Sequence, residues 1–232
     1  MKDFTEVKWK ALSGVLRLLK RMPLTWSVRF GASLGWLLWA LDKKKVDEAE
    51  RRCVRALQVG PTIARGIVRR SYMNLGRSVA EFAAVPGSGR SMRSIVHVHG
   101  EEHLREALDS GNGVIFFSGH IGNWEFGAAV LAEMGYPMNA IGADQRDERV
   151  TDLIIGLRAV SGVTTVSKGF DLKAAIRCLK RGEALAILID QDVRERGVVV
   201  PFLGIPASTP YGPAKIAGKI GSVILPSFML RR

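Results

Sequence analysis

The sequence predicts an α/β protein with a largely parallel central sheet flanked by helices, preceded by an N-terminal helical region that associates with a membrane. Three observations support this fold class. Beyond residue 90, short apolar runs alternate with helical patterns, as they do in parallel sheets. The first 45 residues contain long apolar stretches with interspersed tryptophans. Residues 1–100 carry 19 Lys and Arg against 7 Asp and Glu, whereas residues 101–232 carry 15 of each.

The basic first 100 residues suit nucleic acid, an acidic protein partner or an anionic membrane surface. This part of the chain has no RNP motif and no Cys/His finger, and its apolar stretches favour the membrane, so we expect no nucleic-acid partner. Cys53 and Cys178 are too few and too isolated for a disulfide framework or a metal cluster. We expect two ordinary thiols and no metal.

Residues 1–45 are expected to form membrane-associating helices, and residues 46–232 the α/β domain. The stretch from 24 to 41 is apolar except for Arg29 and a few hydroxyl groups, but its 18 residues are marginal for crossing a bilayer. Three lysines, 43–45, follow directly, as expected for a cytoplasmic flank. A spanning helix, a helix lying on the bilayer and a buried hairpin of helices all stay open.

Periodicity predicts the remaining elements in order. Helical patterns occupy 46–57 and 61–84, and a turn cluster at 85–89 is a plausible boundary. Strands are predicted at Ile95–Val98, Gly113–Ser118, Asn139–Gly142, Thr164–Val166, Ala184–Ile189, Val198–Phe202 and Val223–Phe228. Between them lie predicted helices near 101–109, 123–135, 149–161, 170–181 and 211–220. The chain ends directly after an apolar run, from which we expect a shortened C-terminus.

One predicted strand, Gly113–Ser118, leads into a glycine-flanked loop that contains His120. Asn123 is a good N-cap for the helix that follows. Functional groups of open α/β sheets gather at the carboxyl ends of strands, and this loop occupies such a position.

His120 and Glu125 can meet only under one arrangement. On a single helix they would lie about 140° apart, so His120 must occupy the loop and Glu125 the first helical turn. A carboxylate there could hold one imidazole nitrogen and leave the other free to take a proton. The alternatives are a structural histidine and an acidic residue that serves only the helix N-terminus. Ser118 lacks the Gly-x-Ser-x-Gly pattern of a hydrolase nucleophile.

His120 and Glu125, with four residues between them, resemble the histidine–acid motif of glycerolipid-type acyltransferases. The surrounding sequence most resembles the late acyltransferases of lipid A biosynthesis, the lauroyl/myristoyl transferase family. The matching stretches are GVIFFSGHIGNWE at 113–125, DLIIGLRAVSGV at 152–163, LKRGEALAILIDQD at 179–192 and VVVPFLGIPASTPYGPAKIA at 198–217. The likeness extends over 113–228 and is looser before it.

The resemblance implies transfer of a fatty acyl group from an acyl-carrier protein or coenzyme A to a hydroxyl of a lipid A precursor. It places this reaction at the cytoplasmic face of the bacterial inner membrane, without a metal or bound cofactor. His120 would be the general base and Glu125 would orient its ring. The alternatives are another phospholipid or glycolipid acceptor, and a catalytically silent, basic membrane-binding relative.

The resemblance also supplies candidate substrate-binding residues. Arg158 matches an arginine of the family and would stabilise an oxyanion or pair with a phosphate, unless it is a solvated helix residue. Asp190 and Asp192 follow a strand at the same edge of the sheet as His120, so they would bind the acceptor, shape the site or form a turn. Asn123 is placed with them as a residue near the acceptor.

Overall fold

The structure, a computed structural model, describes residues 2–86, 88–166 and 172–232, with side chains from residue 5 onward. The chain divides into two compact units, residues 1–89 with 203–205 and residues 90–202 with 206–232. This division falls at the end of the turn cluster at 85–89. The boundary expected at residue 45 lies inside the first unit, because the helices before and after it pack together.

The bounds of the elements follow the predicted pattern closely. The α-helices are α1 Lys2–Arg21, α2 Leu24–Leu41, α3 Lys43–Leu57, α4 Pro61–Ala84, α5 Glu101–Asp109, α6 Trp124–Glu133, α7 Glu148–Val160, α8 Leu172–Lys180 and α9 Gly212–Ile220. The strands are β1 Val114–Ser118, β2 Met138–Ile141, β3 Thr164–Val166, β4 Ala184–Leu188, β5 Val198–Phe202, β6 Ile205–Thr209 and β7 Val223–Pro226.

The first unit contains α1 to α4, and its central contact is between α2 and α4. Gly31 and Gly76 let the two backbones approach: a Cβ on Gly76 would lie 2.0 Å from the carbonyl oxygen of Gly31. Gly35 meets Tyr72 in the same way, with a Cβ 2.2 Å from its carbonyl oxygen. Small residues four apart on α2 therefore form the surface on which α4 packs.

Helices occupy the N-terminal region as predicted. The association of these helices with a membrane stays a prediction. Within the described residues, no helix is both long enough and apolar enough to span a bilayer. α2 is 18 residues long and includes Arg29.

The second unit is built on a five-stranded sheet in the order β3-β2-β4-β1-β7. All four pairings in this sheet are parallel, which confirms the predicted α/β class with a parallel central sheet. β4 lies directly beside β1, with Ser118 opposite Leu188. The two strands therefore end side by side, and the loops that follow them begin at one edge of the sheet.

A buried apolar cluster holds α8 and α9 against this sheet. It joins Ile115 of β1 and Leu185 of β4 to Leu179 of α8 and Ile216 of α9, among others. Ile115, Leu179 and Leu185 are fully shielded from solvent. Each such side chain stabilises the unit by about 1.5–3 kcal/mol relative to an exposed position, so the sheet is a firm base for the loops at its edge.

One strand prediction is wrong. Residues 95–98 follow a short 3-10 turn at Met92–Ser94 and have no strand partner in the described part of the chain. Their side chains still alternate in exposure, as they do in an extended chain. β5 has the predicted bounds and pairs with β6 in a two-stranded sheet separate from the central one. β6 was not predicted.

Candidate active site

The loop between β1 and α6 positions His120 by backbone geometry. Gly122 has a φ of +61°, and a Cβ there would lie 2.2 Å from the carbonyl oxygen of Met229, so only glycine fits. Asn123 then begins α6, because its side chain accepts a hydrogen bond of 3.3 Å from the amide of Phe126. The predicted N-cap is confirmed, and it fixes where the loop ends.

Asp190 reaches His120 because β4 and β1 are neighbours in register. Ile189 donates its amide hydrogen to the carbonyl oxygen of Ser118 at 3.0 Å, which extends the pairing past the strand ends. His120 and Asp190 each lie two residues beyond their strand, in the position where this register brings them together. Gly119 leaves room for the carboxylate, since a Cβ there would lie 3.0 Å from Asp190 Oδ2.

The carboxylate of Asp190 binds His120 twice. His120 Nδ1 lies 2.7 Å from Asp190 Oδ1, and the backbone amide of His120 donates to Asp190 Oδ2, also at 2.7 Å. A carboxylate only accepts hydrogen bonds, so Nδ1 carries the proton and Nε2 presents its lone pair. The two side chains are 35% and 32% exposed, so the pair is only partly buried.

The expectation that Glu125 holds the imidazole is wrong in its geometry. Glu125 lies in the first turn of α6 as predicted, but its carboxylate faces α7, where Arg158 binds it through two parallel hydrogen bonds. Arg158 Nε donates to Glu125 Oε2 at 2.8 Å, and Nη2 donates to Oε1 at 2.7 Å. The side chains are 9% and 13% exposed. A bidentate guanidinium is a stronger partner for a buried carboxylate than a neutral imidazole.

Trp124 stands between these two pairs and was missed by the sequence reasoning. Its indole meets the His120 ring edge-on, with 4.7 Å between centroids and 69° between the planes. Its Nε1 donates to Glu125 Oε1 at 3.2 Å. The indole therefore packs against the imidazole while being held by the carboxylate. The sequence signal that could have identified Trp124 is its position directly before Glu125, the acidic residue of the motif.

Arg158 has a buried nitrogen, Nη1, that does not bind Glu125. Within the described ranges its Nη1 is shielded from solvent and lacks a hydrogen-bond partner, and the same holds for Thr165 Oγ1 in β3. Both side chains flank Gly142: a Cβ on this glycine would lie 3.0 Å from Arg158 Nη1 and 3.1 Å from Thr165 Cγ2. Leaving such groups unpaired costs about 1–3 kcal/mol each. The arrangement suits a ligand oxygen or a water molecule there.

The remaining predicted residues have structural contacts. Asp192 accepts a 2.7 Å hydrogen bond from the amide of Arg194, which is the turn-forming alternative. Asn123 is 5% exposed and caps α6, so its placement with substrate-binding residues stays a prediction.

In the described part of the chain, no metal-ligand cluster and no ionised thiol accompany His120 and Asp190. Among the described residues, no three His, Cys, Asp or Glu side chains converge as metal ligands would. Burial raises the pKa of Cys178 to about 11, so this thiol is protonated at neutral pH. The chemistry that the geometry supports is proton transfer at His120 Nε2, with Asp190 behind the ring.

Comparison with known proteins agrees with this chemistry. The sequence model of the bacterial lipid A biosynthesis acyltransferases matches residues 6–232. A phosphatidylinositol mannoside acyltransferase of Mycobacterium tuberculosis (strain CDC 1551 / Oshkosh) is 28% identical over 134 residues, which are 56% of this chain and 42% of that protein. The lipid A biosynthesis lauroyltransferase of Escherichia coli (strain K12) is 25% identical over 224 residues, which are 94% of this chain and 72% of that protein. The chain spans less than half the length of the mycobacterial relative.

Proposed function

The chain belongs to the bacterial lipid A biosynthesis acyltransferase family, and we propose that it transfers a fatty acyl group from a thioester donor to a hydroxyl of a lipid acceptor. The observation that carries this proposal is the pairing of His120 with Asp190. One carboxylate fixes both the ring and the backbone of the histidine, so Nε2 has a defined position and carries the lone pair of the neutral imidazole.

The reaction follows from that geometry. His120 Nε2 takes the proton of the acceptor hydroxyl as its oxygen attacks the thioester carbonyl carbon. The new C–O bond forms, the C–S bond breaks, and the departing sulfur takes the proton from Nε2. Asp190 stabilises the imidazolium between these steps through its hydrogen bond to Nδ1. No acyl group becomes attached to the protein.

Glu125 and Arg158 have a positioning role in this proposal. Their buried pair ties the first turn of α6 to α7, and Trp124 links the pair to the His120 ring. Arg158 Nη1 would donate to an anionic oxygen of the substrate, because it is the one nitrogen that Glu125 does not engage. The spacing predicted one contact between His120 and Glu125. The structure instead has two contacts, of His120 with Asp190 and of Glu125 with Arg158.

The acceptor we favour is a hydroxyl of a lipid A precursor, because the matching family and the relative with the broadest coverage carry that name. A mannosylated phospholipid is the second candidate, since the mycobacterial relatives are 27–28% identical over the shorter stretch they share. Both are hydroxyl-bearing lipids with polar head groups, so the same base would serve either. The donor would be an acyl-carrier protein or coenzyme A thioester.

We further propose that the protein works at the cytoplasmic surface of the inner membrane. α2 exposes five large apolar side chains, namely Trp26, Trp36, Leu37, Leu38 and Leu41. Exposed Trp and Leu beside a strongly basic stretch suit an anionic lipid surface. An acidic carrier protein would be attracted by the same charge.

Acylation of defined lipids tests the proposal. The native protein would be incubated with an acyl-carrier protein or coenzyme A thioester and with each candidate acceptor, and the lipids weighed by mass spectrometry. A product heavier by one ester-linked acyl group, absent with His120→Ala, is expected for one acceptor. If the protein bound vesicles but gave no acylated product with any combination of the two acceptors and two donors, it would be a catalytically silent membrane-binding relative.

A further inference from the structure

A groove between α2 and α4 in the first unit is distinct from the residues assigned to acyl transfer. Its cavity volume is about 350 Å³, within the range of small-molecule sites. Its lining residues are Val28, Arg29, Ala32, Ser33, Trp36, Met73 and Arg77. All of them belong to the first unit, so the groove is formed by this helical unit alone.

The groove is lined by two arginines, Arg29 and Arg77, and by mostly apolar side chains. Arg29 lies over the ring of Trp26, with 5.7 Å from its Cζ to the ring centroid, and Arg77 donates to the amide oxygen of Asn74 at 2.5 Å. In the described part of the chain neither guanidinium has a carboxylate partner, and the lining contains no acidic residue. Two such guanidiniums beside one groove favour an anionic group.

We propose that this groove binds the phosphate of an anionic phospholipid, with its acyl chain against Trp36 and Met73. Arg29 and Arg77 would hold the phosphate oxygens through charge-assisted hydrogen bonds. The apolar walls distinguish a lipid from inorganic phosphate, which would leave Val28, Ala32 and Met73 without a partner. Trp36 is also part of the exposed apolar side of α2, so the groove opens onto the side chains that suit a bilayer.

This site deepens the proposed attachment to a lipid surface and does not depend on acyl transfer. A diffuse basic surface attracts any anionic vesicle, whereas a built groove recognises a single lipid molecule without a bilayer. Binding of a short-chain phospholipid below its critical micelle concentration distinguishes a diffuse basic surface from a groove that binds one lipid molecule. Dihexanoyl phosphatidylglycerol supplies the anionic phosphate, and dihexanoyl phosphatidylcholine is the zwitterionic comparison.

The experiment measures tryptophan fluorescence of the whole protein during titration with each short-chain lipid and with inorganic phosphate. Trp36→Phe identifies the signal from the groove. The variant is Arg29→Gln/Arg77→Gln. The matched control is Arg69→Gln/Arg70→Gln, which removes the same charge from exposed positions on α4 outside the groove. Thermal unfolding of both variants checks that the helical unit is intact.

We expect saturable binding of dihexanoyl phosphatidylglycerol that is at least about tenfold weaker in Arg29→Gln/Arg77→Gln, from loss of two charge-assisted contacts, and close to native in the control. Equal weakening in both double variants would overturn the site in favour of diffuse charge. Inorganic phosphate binding as tightly as the lipid would overturn the lipid assignment. Acyl transfer in detergent reports on His120 separately, so failure of the groove and failure of the proposed reaction are distinguishable.

Discussion

Asp190 holds His120 at two points, with 2.7 Å to the ring Nδ1 and 2.7 Å to the backbone amide. The two residues are 70 apart in the chain, yet each lies two residues beyond one of two neighbouring parallel strands. The ring and the backbone that carries it are thus fixed by one carboxylate. Orientation of the base depends on the sheet, and only indirectly on α6.

Asp190→Asn is expected to reduce kcat/KM for acyl transfer by about 10²–10⁴, because an amide no longer selects the tautomer with the lone pair on Nε2. Initial rates with a thioester donor measure this. Asp192→Asn is the control, since the Asp192 side chain accepts a hydrogen bond from the amide of Arg194, and the rate of this variant should stay within a few-fold of native. Equal losses in both variants would mean that the loop, and not the imidazole, was disturbed.

Glu125→Gln is expected to lower the free energy of unfolding by about 3 kcal/mol, because it leaves the buried guanidinium of Arg158 without its counter-charge. Urea denaturation measures the change. Glu48→Gln, which removes the exposed ion pair with Arg52, should have little effect. If Glu125→Gln unfolded like native protein but lost activity as fully as Asp190→Asn, Glu125 would act on the reaction directly.

Gly76→Ala is expected to destabilise the first unit by at least about 2 kcal/mol, since its Cβ would lie 2.0 Å from the Gly31 carbonyl oxygen. Gly14→Ala makes the same chemical change in α1 where nothing lies within 4 Å. It should stabilise by about 0.5–1 kcal/mol through helix propensity. Thermal unfolding compares the two. Similar effects would show that α2 and α4 are not in backbone contact.

Cys178 is expected to resist thiol reagents. Burial raises its pKa to about 11, so at pH 8 about one thiol in a thousand is ionised. The reactive fraction rises only as the pH approaches 11. Maleimide labelling followed by mass spectrometry at pH 8 should add one label to the native protein, at the partly exposed Cys53, and two in denaturant. Rapid native labelling of both cysteines would contradict the buried position of α8.

Much of the fold follows from periodicity and end signals. α4 and α5 have the predicted bounds, and α6 begins after Asn123 because this side chain supplies the cap. The segment 95–98 was predicted to be a strand from its short apolar run, and such a run can lie in an extended chain with no partner strand. Pairing is a tertiary property, so the local pattern could not settle it.

Sequence reasoning named His120, Glu125, Arg158 and Asp190 as candidates, but it missed Trp124 and did not predict which of these side chains pair. Sequence placed Asp190 at the edge of the sheet that carries His120, yet proximity in the chain made Glu125 the obvious partner. Whether β4 or another strand lies beside β1 is set by the packing of the whole sheet. The equal offsets of His120 and Asp190 from their strand ends become informative only once that order is known. Arg158 then explains why Glu125 turns away.

The central claim is that His120, oriented by Asp190, is the base for acyl transfer. It is tested most directly by single-turnover rates of native protein, His120→Ala and His120→Ala/Asp190→Asn with a hydroxyl-bearing lipid acceptor. We predict that His120→Ala lowers the rate by about 10³-fold or more and that adding Asp190→Asn lowers it no further, because the carboxylate acts through the imidazole. A native rate in His120→Ala, or losses that multiply in the double variant, would contradict the account.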